Sequence, residues 1–92
     1  MKVELPKRRP IAPSSALYIH VPGLCLLNHQ IKSYPVKDPI GCGLACWAEP
    51  RCYSFNLLKK FDEIICQQNN ATRLQANVTD ITFMDKCYFY EP

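Results

Sequence analysis

The stretch "CGLACWAEPRCYSFN" (residues 42–56) decides the fold, because it places three cysteines within eleven positions. Cysteines this close can be metal ligands, accompany a catalytic thiol or form disulfides. The whole chain has 92 residues and six cysteines, so one small domain with a modest hydrophobic core is expected. Disulfides add stability where such a core is insufficient. The short length and the even cysteine count favour a disulfide framework.

Metal binding and catalysis are both disfavoured by the spacing of the remaining residues. Zinc ligands usually come in two closely spaced pairs, whereas Cys66 and Cys87 stand alone and the two histidines, His20 and His29, flank a single cysteine. We therefore predict no metal site and no cofactor. A nucleophile needs a base and an orienting group, and no carboxylate pair or glycine-rich phosphate loop occurs. We expect no enzyme, with a small hydrolase built on either histidine as the alternative.

Two glycosylation motifs indicate an oxidising, extracellular setting, either secreted or at the cell surface. Asn70 and Asn77 each begin an Asn-x-Thr triplet, and both lie in a polar stretch, residues 67–82, that we predict to be an exposed loop. The chain does not open on the apolar run of a secretion signal, so we expect a fragment of a longer protein or a missing start. No stretch is long enough to span a bilayer, and membrane association is expected only through a parent chain.

The net charge of +3 belongs to the beginning of the chain. Residues 1–10 carry four basic side chains and one acidic one, 4 − 1 = +3, and the rest of the chain is balanced. We interpret residues 1–16 as a basic, proline-rich tail or linker and residues 17–92 as a single domain. The run "PKRRP" is a solvated tail, an anionic-ligand contact, a nuclear-import-like run or a processing site. We expect no nucleic-acid partner.

A helix is predicted over residues 39–49. Asp38 supplies a cap, Pro39 suits the first turn and Pro50 ends the helix. Cys42 and Cys46 are four residues apart and so share one face. A second stripe lies roughly opposite, formed by Ile40, Leu44 and Trp47. A helix that is apolar on both sides is normally enclosed, so we expect other chain to cover this stripe; the alternative is an exposed patch that binds a partner.

Extended segments make up most of the remaining domain. "SALYIHVPGLCLLNHQIKSYPV" reads as two strands separated by a turn at Pro22-Gly23. "CYSFNLLKK" alternates like a strand with two unlike faces, and Lys60-Phe61-Asp62 is a plausible hairpin connection to the strand "EIICQQN". "KCYFYE" is the closing strand.

The order of these motifs resembles the PAN/apple domain superfamily. The likeness runs from about residue 25 to residue 91, and its most specific part is Cys42-x3-Cys46-x5-Cys52-Tyr-Ser-Phe-Asn followed by Cys66. It implies a small, disulfide-rich α+β fold in which an antiparallel sheet of about five strands wraps around one helix. Among the fifteen pairings that six cysteines allow, the resemblance implies three bridges: Cys42–Cys66, Cys46–Cys52 and Cys25–Cys87.

The resemblance also implies a function. Domains of this superfamily are non-catalytic, adhesive modules that bind proteins or carbohydrates within longer extracellular chains, so we expect a monomeric recognition module with a protein or glycan ligand. The alternative is a stand-alone secreted effector, such as a toxin-like or inhibitor peptide. Candidate ligand contacts are four basic residues, Arg51, Lys59, Lys60 and Lys86. Tyr18, Tyr34, Tyr88 and Tyr90 are candidate aromatic contacts, although tyrosines of this kind often pack against a sheet.

Overall fold

One helix packs on a five-stranded antiparallel sheet in the computed structural model, which describes residues 18–92. The strands follow the order β1-β5-β3-β4-β2 across the sheet. The elements are β1 (Ile19–Leu26), β2 (Gln30–Val36), α1 (Pro39–Ala48), β3 (Ser54–Lys60), β4 (Glu63–Asn69), a 3-10 turn (Val78–Asp80) and β5 (Ile81–Glu91). The predicted α+β fold class is confirmed. The predicted tail, residues 1–16, lies outside the described residues.

Local capping explains where α1 begins and ends. The Asp38 carboxylate accepts a hydrogen bond of 3.1 Å from the Gly41 amide, which satisfies one of the free N–H groups of the first turn. Glu49 closes the last turn by donating its amide to the carbonyls of Ala45 and Cys46, and its own backbone is extended ahead of Pro50. The predicted helix, residues 39–49, ends one residue earlier in the structure.

The helix is buried on one face only. Cys42 and Cys46 are fully enclosed against the sheet, whereas Ile40 and Leu44 are 64% and 45% exposed. The expectation that the stripe of Ile40, Leu44 and Trp47 is enclosed is therefore wrong for its first two members, and Trp47 is half-buried. The physical reason is that the described part of the chain has two layers: α1 packs on β2, β3 and β4, and none of these strands crosses its outer side.

Three disulfides connect the elements, and all six sulfurs are buried. Cys42–Cys66 joins α1 to β4, and Cys46–Cys52 joins α1 to the segment just before β3. Cys25–Cys87 links β1 to β5 across 62 residues of sequence. These are the three pairs that the resemblance implies.

The central strand β3 has a core on each of its faces. On the helix side, Phe55 and Leu57 pack with Tyr18 and four of the cysteines. On the other side lies a second cluster of Leu24, Leu26 and Phe89. Asn56 is fully buried there, where its side-chain oxygen accepts from the Leu26 amide at 3.0 Å and its amide donates to the Leu26 carbonyl at 2.7 Å. Both faces of β3 are thus buried, and a polar residue on one of them is retained by hydrogen bonding.

Two sequence predictions about strand limits are wrong. Pro22-Gly23 is not a turn between strands, because β1 continues through it with a register shift and Gly23 adopts φ +82; the irregularity bends the strand rather than ending it. The predicted loop, residues 67–82, overlaps the predicted strand "EIICQQN", whose limits match β4, and is wrong at both ends, because β5 begins at Ile81. β4 extends to Asn69, and both Gln68 and Asn69 are buried. Their polarity suggested a loop, but Asn69 is accommodated by donating to Ser54 at 3.1 Å.

The long disulfide should contribute more stability than the short one. The entropy of closing a loop grows with its length, so for the sequence separations of 62 and 6 residues we expect Cys25→Ser with Cys87→Ser to lower the free energy of unfolding by about 4 kcal/mol and Cys46→Ser with Cys52→Ser by about 2 kcal/mol. Urea unfolding of both double variants measures this difference. Equal losses would contradict it, as would native-like circular dichroism of the wild-type protein in excess reductant.

Candidate functional site

A cationic cleft lies at the end of the β3–β4 hairpin. It has a volume of about 500 Å³ and is lined by Lys59, Lys60, Phe61, Lys86 and Tyr88. The lysines arrive from two strands, β3 and β5, which run antiparallel beside each other in the sheet. The structure therefore brings together three of the four predicted basic contacts.

The three lysines of this cleft are not neutralised by local ion pairs. No carboxylate of residues 18–92 lies within 4 Å of their ammonium groups, whereas Lys32, Arg51 and Arg73 all contact one. Acidic residues do occur beside the cleft in sequence, but they do not line it: Asp62, Glu63 and Asp85. Glu63 is the direct cross-strand partner of Lys60, so these carboxylates offset part of the lysine charge from outside the cleft lining.

Backbone strain is concentrated at the same place. Among residues 18–92, three non-glycine residues have positive φ, and two of them, Phe61 (φ 52) and Lys86 (φ 65), line the cleft. The third, Asn28, is of a type that tolerates this conformation. Phe61 forms the two-residue turn with Asp62 and its side chain is fully exposed. The Phe61 side chain therefore gains no packing energy that would offset the unfavourable backbone conformation. Such strain is commonly found at functional sites.

A second, smaller cleft continues from the first. It measures about 280 Å³, and Lys59 and Tyr88 belong to both clefts. Its lining is His20, Pro39, Leu57, Lys59, Ile64, Tyr88 and Tyr90. The two clefts are therefore adjacent, and we call them together the groove; its lining extends from Phe61 in the hairpin turn to Pro39 in the first turn of α1. The groove exists because α1 covers β2, β3 and β4 but leaves the neighbouring strip of β5 and β1 open.

A row of stacked rings forms the wall of the smaller cleft. Tyr90 lies between His20, at a centroid distance of 4.5 Å, and Phe55, at 4.8 Å, with interplanar angles of 5° and 9°. These residues are direct cross-strand partners on β1, β5 and β3, so the two neighbours cover opposite faces of the Tyr90 ring. Burial, and after it the nearby Tyr88, raises the pKa of the Tyr90 phenol. His20 is exposed on the edge strand and presents the outer ring of the row.

The predicted aromatic contacts divide into two groups. Tyr88 and Tyr90 line the groove. Tyr18 is instead buried, packs edge-on against Phe55 at 5.1 Å and donates to the Gly43 carbonyl at 3.2 Å. Tyr34 accepts a hydrogen bond of 2.8 Å from Gln68 and does not line the groove.

Five groove residues are not among the predicted ligand contacts: His20, Pro39, Leu57, Phe61 and Ile64. Phe61 was assigned only to the hairpin connection, and His20 was considered only as a nucleophile's base. An apolar aromatic ring at a two-residue turn, where Asn or Gly is usual, is the signal that identifies Phe61. Nothing in the sequence identifies His20, because its place in the row depends on the register of β1 with β5.

Arg51, the fourth predicted basic contact, lies outside the groove and has a structural partner. Its guanidinium donates to the Glu49 carboxylate at 2.9 Å, and Lys32 contacts the other oxygen at 3.2 Å. The hydrogen bonds from the Arg51 side chain and backbone, followed by that from Lys32, lower the pKa of Glu49 from 4.5 to about 2. Arg51 thus stabilises the chain just after α1.

The glycosylation motifs lie away from the groove. Asn70 and Asn77 are exposed in the loop after β4, and the Asn70 amide donates to the His29 carbonyl at 2.9 Å. β4 leads from Glu63, beside the cleft, to Asn69, a span of about 20 Å at the rise of a strand. His29 is held by Asp80, with 3.0 Å between Nε2 and Oδ2. A glycan on Asn70 would therefore leave the groove open.

Comparison with protein-family models, with curated proteins and with solved structures finds no match to this chain. Within residues 18–92, no helix is long and apolar enough to cross a bilayer, and no cluster of ligating side chains can hold a metal ion. The groove and the disulfide-linked fold are therefore the observations on which a function is proposed.

The low pKa of Glu49 predicts where its ion pairs are lost. Because the folded-state pKa is below the ordinary value of 4.5, the stabilisation is complete above that value and disappears as the pH falls toward about 2. In Arg51→Gln the Glu49 carboxyl should titrate closer to 4.5. Carbon-13 NMR of the carboxyl carbon measures both midpoints, with Lys86→Gln as a control that leaves the midpoint unchanged. An identical midpoint in Arg51→Gln would contradict the assignment.

Replacing the strained Phe61 should stabilise the fold. Asparagine tolerates positive φ better than phenylalanine, so Phe61→Asn is expected to raise the free energy of unfolding by about 0.5–1 kcal/mol. The matched control is Phe83→Asn, which removes another exposed ring, 80% accessible in β5, at a residue without positive φ. This control should be neutral or destabilising. Urea unfolding compares the two variants, and a loss of stability in Phe61→Asn would refute the strain.

Proposed function

We propose that this domain is a non-catalytic extracellular recognition module that binds an anionic glycan in the groove. The observation that carries the proposal is that Lys59, Lys60 and Lys86, none of them paired with a carboxylate of residues 18–92, all line the cleft that also contains the exposed ring of Phe61. The cost in backbone strain at Phe61 and Lys86 supports retention of this surface for binding rather than for folding. The motif likeness to PAN/apple domains supports the same class of function.

The chemistry of the groove suits a sulfated or carboxylated sugar chain. Ammonium groups act as compact point charges for anionic groups, and three of them at one cleft match a ligand with several such groups. The ring of Phe61 and the partly exposed ring of Tyr88 add apolar surface, on which the C–H face of a sugar can pack. A groove with two connected clefts of about 500 and 280 Å³ accommodates an extended ligand.

An extracellular location is supported by the crosslinks and by the exposed sequon asparagines. Three buried disulfides in a domain of this size are typical of proteins that fold in an oxidising compartment. Asn70 and Asn77 are both accessible for glycosylation.

A binding role is favoured over catalysis by the arrangement of the groove. Its lining includes one histidine, His20, whose ring contacts Tyr88 and Tyr90, and none of the lining residues among positions 18–92 is a carboxylate or a thiol. A nucleophile or general base would need such a partner to orient it. The lysines can attract and hold an anion without any of these groups.

Removing the lysine charge should weaken glycan binding. Exposed charge pairs contribute about 0.2–1 kcal/mol each, so the triple variant Lys59→Ala, Lys60→Ala and Lys86→Ala is expected to raise the dissociation constant for a size-defined heparin oligosaccharide by about 3- to 150-fold. Isothermal titration calorimetry of the full chain at low salt measures the change. Phe61→Asn should also bind more weakly while being more stable, which separates binding from folding.

The basic tail provides the decisive control. A second variant, Lys7→Ala, Arg8→Ala and Arg9→Ala, removes the same number of charges from the start of the chain. If this variant loses binding and the groove variant does not, the proposal is overturned. An anionic membrane surface is the alternative ligand, and vesicles containing anionic lipid test it. If the vesicles bind through the same lysines and the oligosaccharide does not bind, the glycan assignment is wrong.

A further inference from the structure

We propose that His20 forms a second anion subsite in the groove, and that its protonation makes the domain bind its anionic ligand more tightly in mildly acidic solution. This inference rests on the proposed function and adds a regulatory property to the same site. An imidazole gains its positive charge between about pH 8 and 5. The groove then carries a fourth cation during ligand binding.

The position of His20 makes its charge available to a ligand. The residue lies on the edge strand β1, one face of its ring rests on Tyr90 at 4.5 Å, and it is exposed to solvent. The stack fixes the orientation of the ring, because Tyr90 is itself held by Phe55. An exposed ring that is held in place can contact a ligand without losing much further side-chain freedom.

The groups around His20 leave this charge uncompensated. Its ring contacts those of Tyr88 and Tyr90 on β5, and it shares the lining of the smaller cleft with Lys59 of β3, Pro39 of α1 and Ile64 of β4. The elements around this cleft also carry Asp38, Glu63, Asp85 and Glu91, and none of these carboxylates lines it. Asp38 caps α1 through the Gly41 amide, and Glu91 binds Arg73. An anion that enters the smaller cleft therefore meets two nitrogen cations, Lys59 and protonated His20, without a competing carboxylate in the lining.

Continuity of the groove connects this subsite to the lysine cleft. Lys59 and Tyr88 line both clefts, so a chain-like ligand held by Lys60 and Lys86 extends past them toward His20. His20 is not among the residues that line the larger cleft, so we expect a single anionic group held there not to contact it. The proposal thus specifies the ligand further, as an oligosaccharide with at least two anionic groups rather than one charged sugar.

The pH dependence of binding tests the subsite. For the wild-type chain and a heparin-derived octasaccharide, calorimetry should give a dissociation constant about 2- to 5-fold lower at pH 5.5 than at pH 7.5, the effect of one added exposed charge pair. His20→Asn should bind equally at both pH values. His20→Lys carries a permanent charge and should bind at pH 7.5 as tightly as the wild type does at pH 5.5.

His29 supplies a matched control, because it is the second histidine of the chain and is bound to Asp80 outside the groove. His29→Asn should keep the wild-type pH dependence. The inference is overturned if the wild type shows no pH dependence, if His20→Asn retains it, or if His29→Asn abolishes it. These results differ from failure of the proposed function, in which the triple lysine variant binds the octasaccharide at pH 7.5 as tightly as the wild type. Thermal melting of each histidine variant checks that the fold is intact.

Discussion

Attachment of α1 to the sheet through two neighbouring buried disulfides is the constraint on which the arrangement of this domain depends. Cys42 and Cys46 leave the same face of the helix, one turn apart, and bond to β4 and to the segment before β3. The helix is thereby held over one half of the sheet. The other part, formed by β5 and β1, stays uncovered, and the groove lies along the border between the two parts. The crosslinks that stabilise a small core thus also determine which part of the sheet remains uncovered.

The groove combines features that are unfavourable for stability alone. Its three lysines line one cleft without carboxylate partners among residues 18–92, and two of its residues adopt left-handed backbone conformations. By contrast, the basic residues outside it that contact carboxylates, such as Arg51 and Arg73, make contacts that tie segments of the chain together. Backbone strain of this kind is typical of functional surfaces. The stability that the three disulfides add to the fold offsets the unfavourable free energy of this strain.

Much of the fold was predictable from local patterns. The capped helix, the β3–β4 hairpin and the closing strand follow from short-range signals such as the Asp38-Pro39 start and the alternation in "CYSFN". The site was predictable only as a set of residue types. Lys59 and Lys86 are 27 positions apart (86 − 59), and only the pairing of β3 with β5 brings them to one cleft. Arg51 is equally basic and was predicted as a ligand contact on the same grounds, but its guanidinium forms an ion pair with the neighbouring Glu49.

The sequence by itself determined the number of crosslinks available, the helix with two cysteines on one face, and the balance of charge within the domain, because these depend on residue identity and on spacing along the chain. Only the tertiary structure decided which side of the helix is left exposed, that Gln68 and Asn69 are buried, and that His20 stands at the end of a stacked row. Those outcomes depend on strand order and register. Both arise from long-range pairing, where a shift of one residue would turn every side chain to the other face.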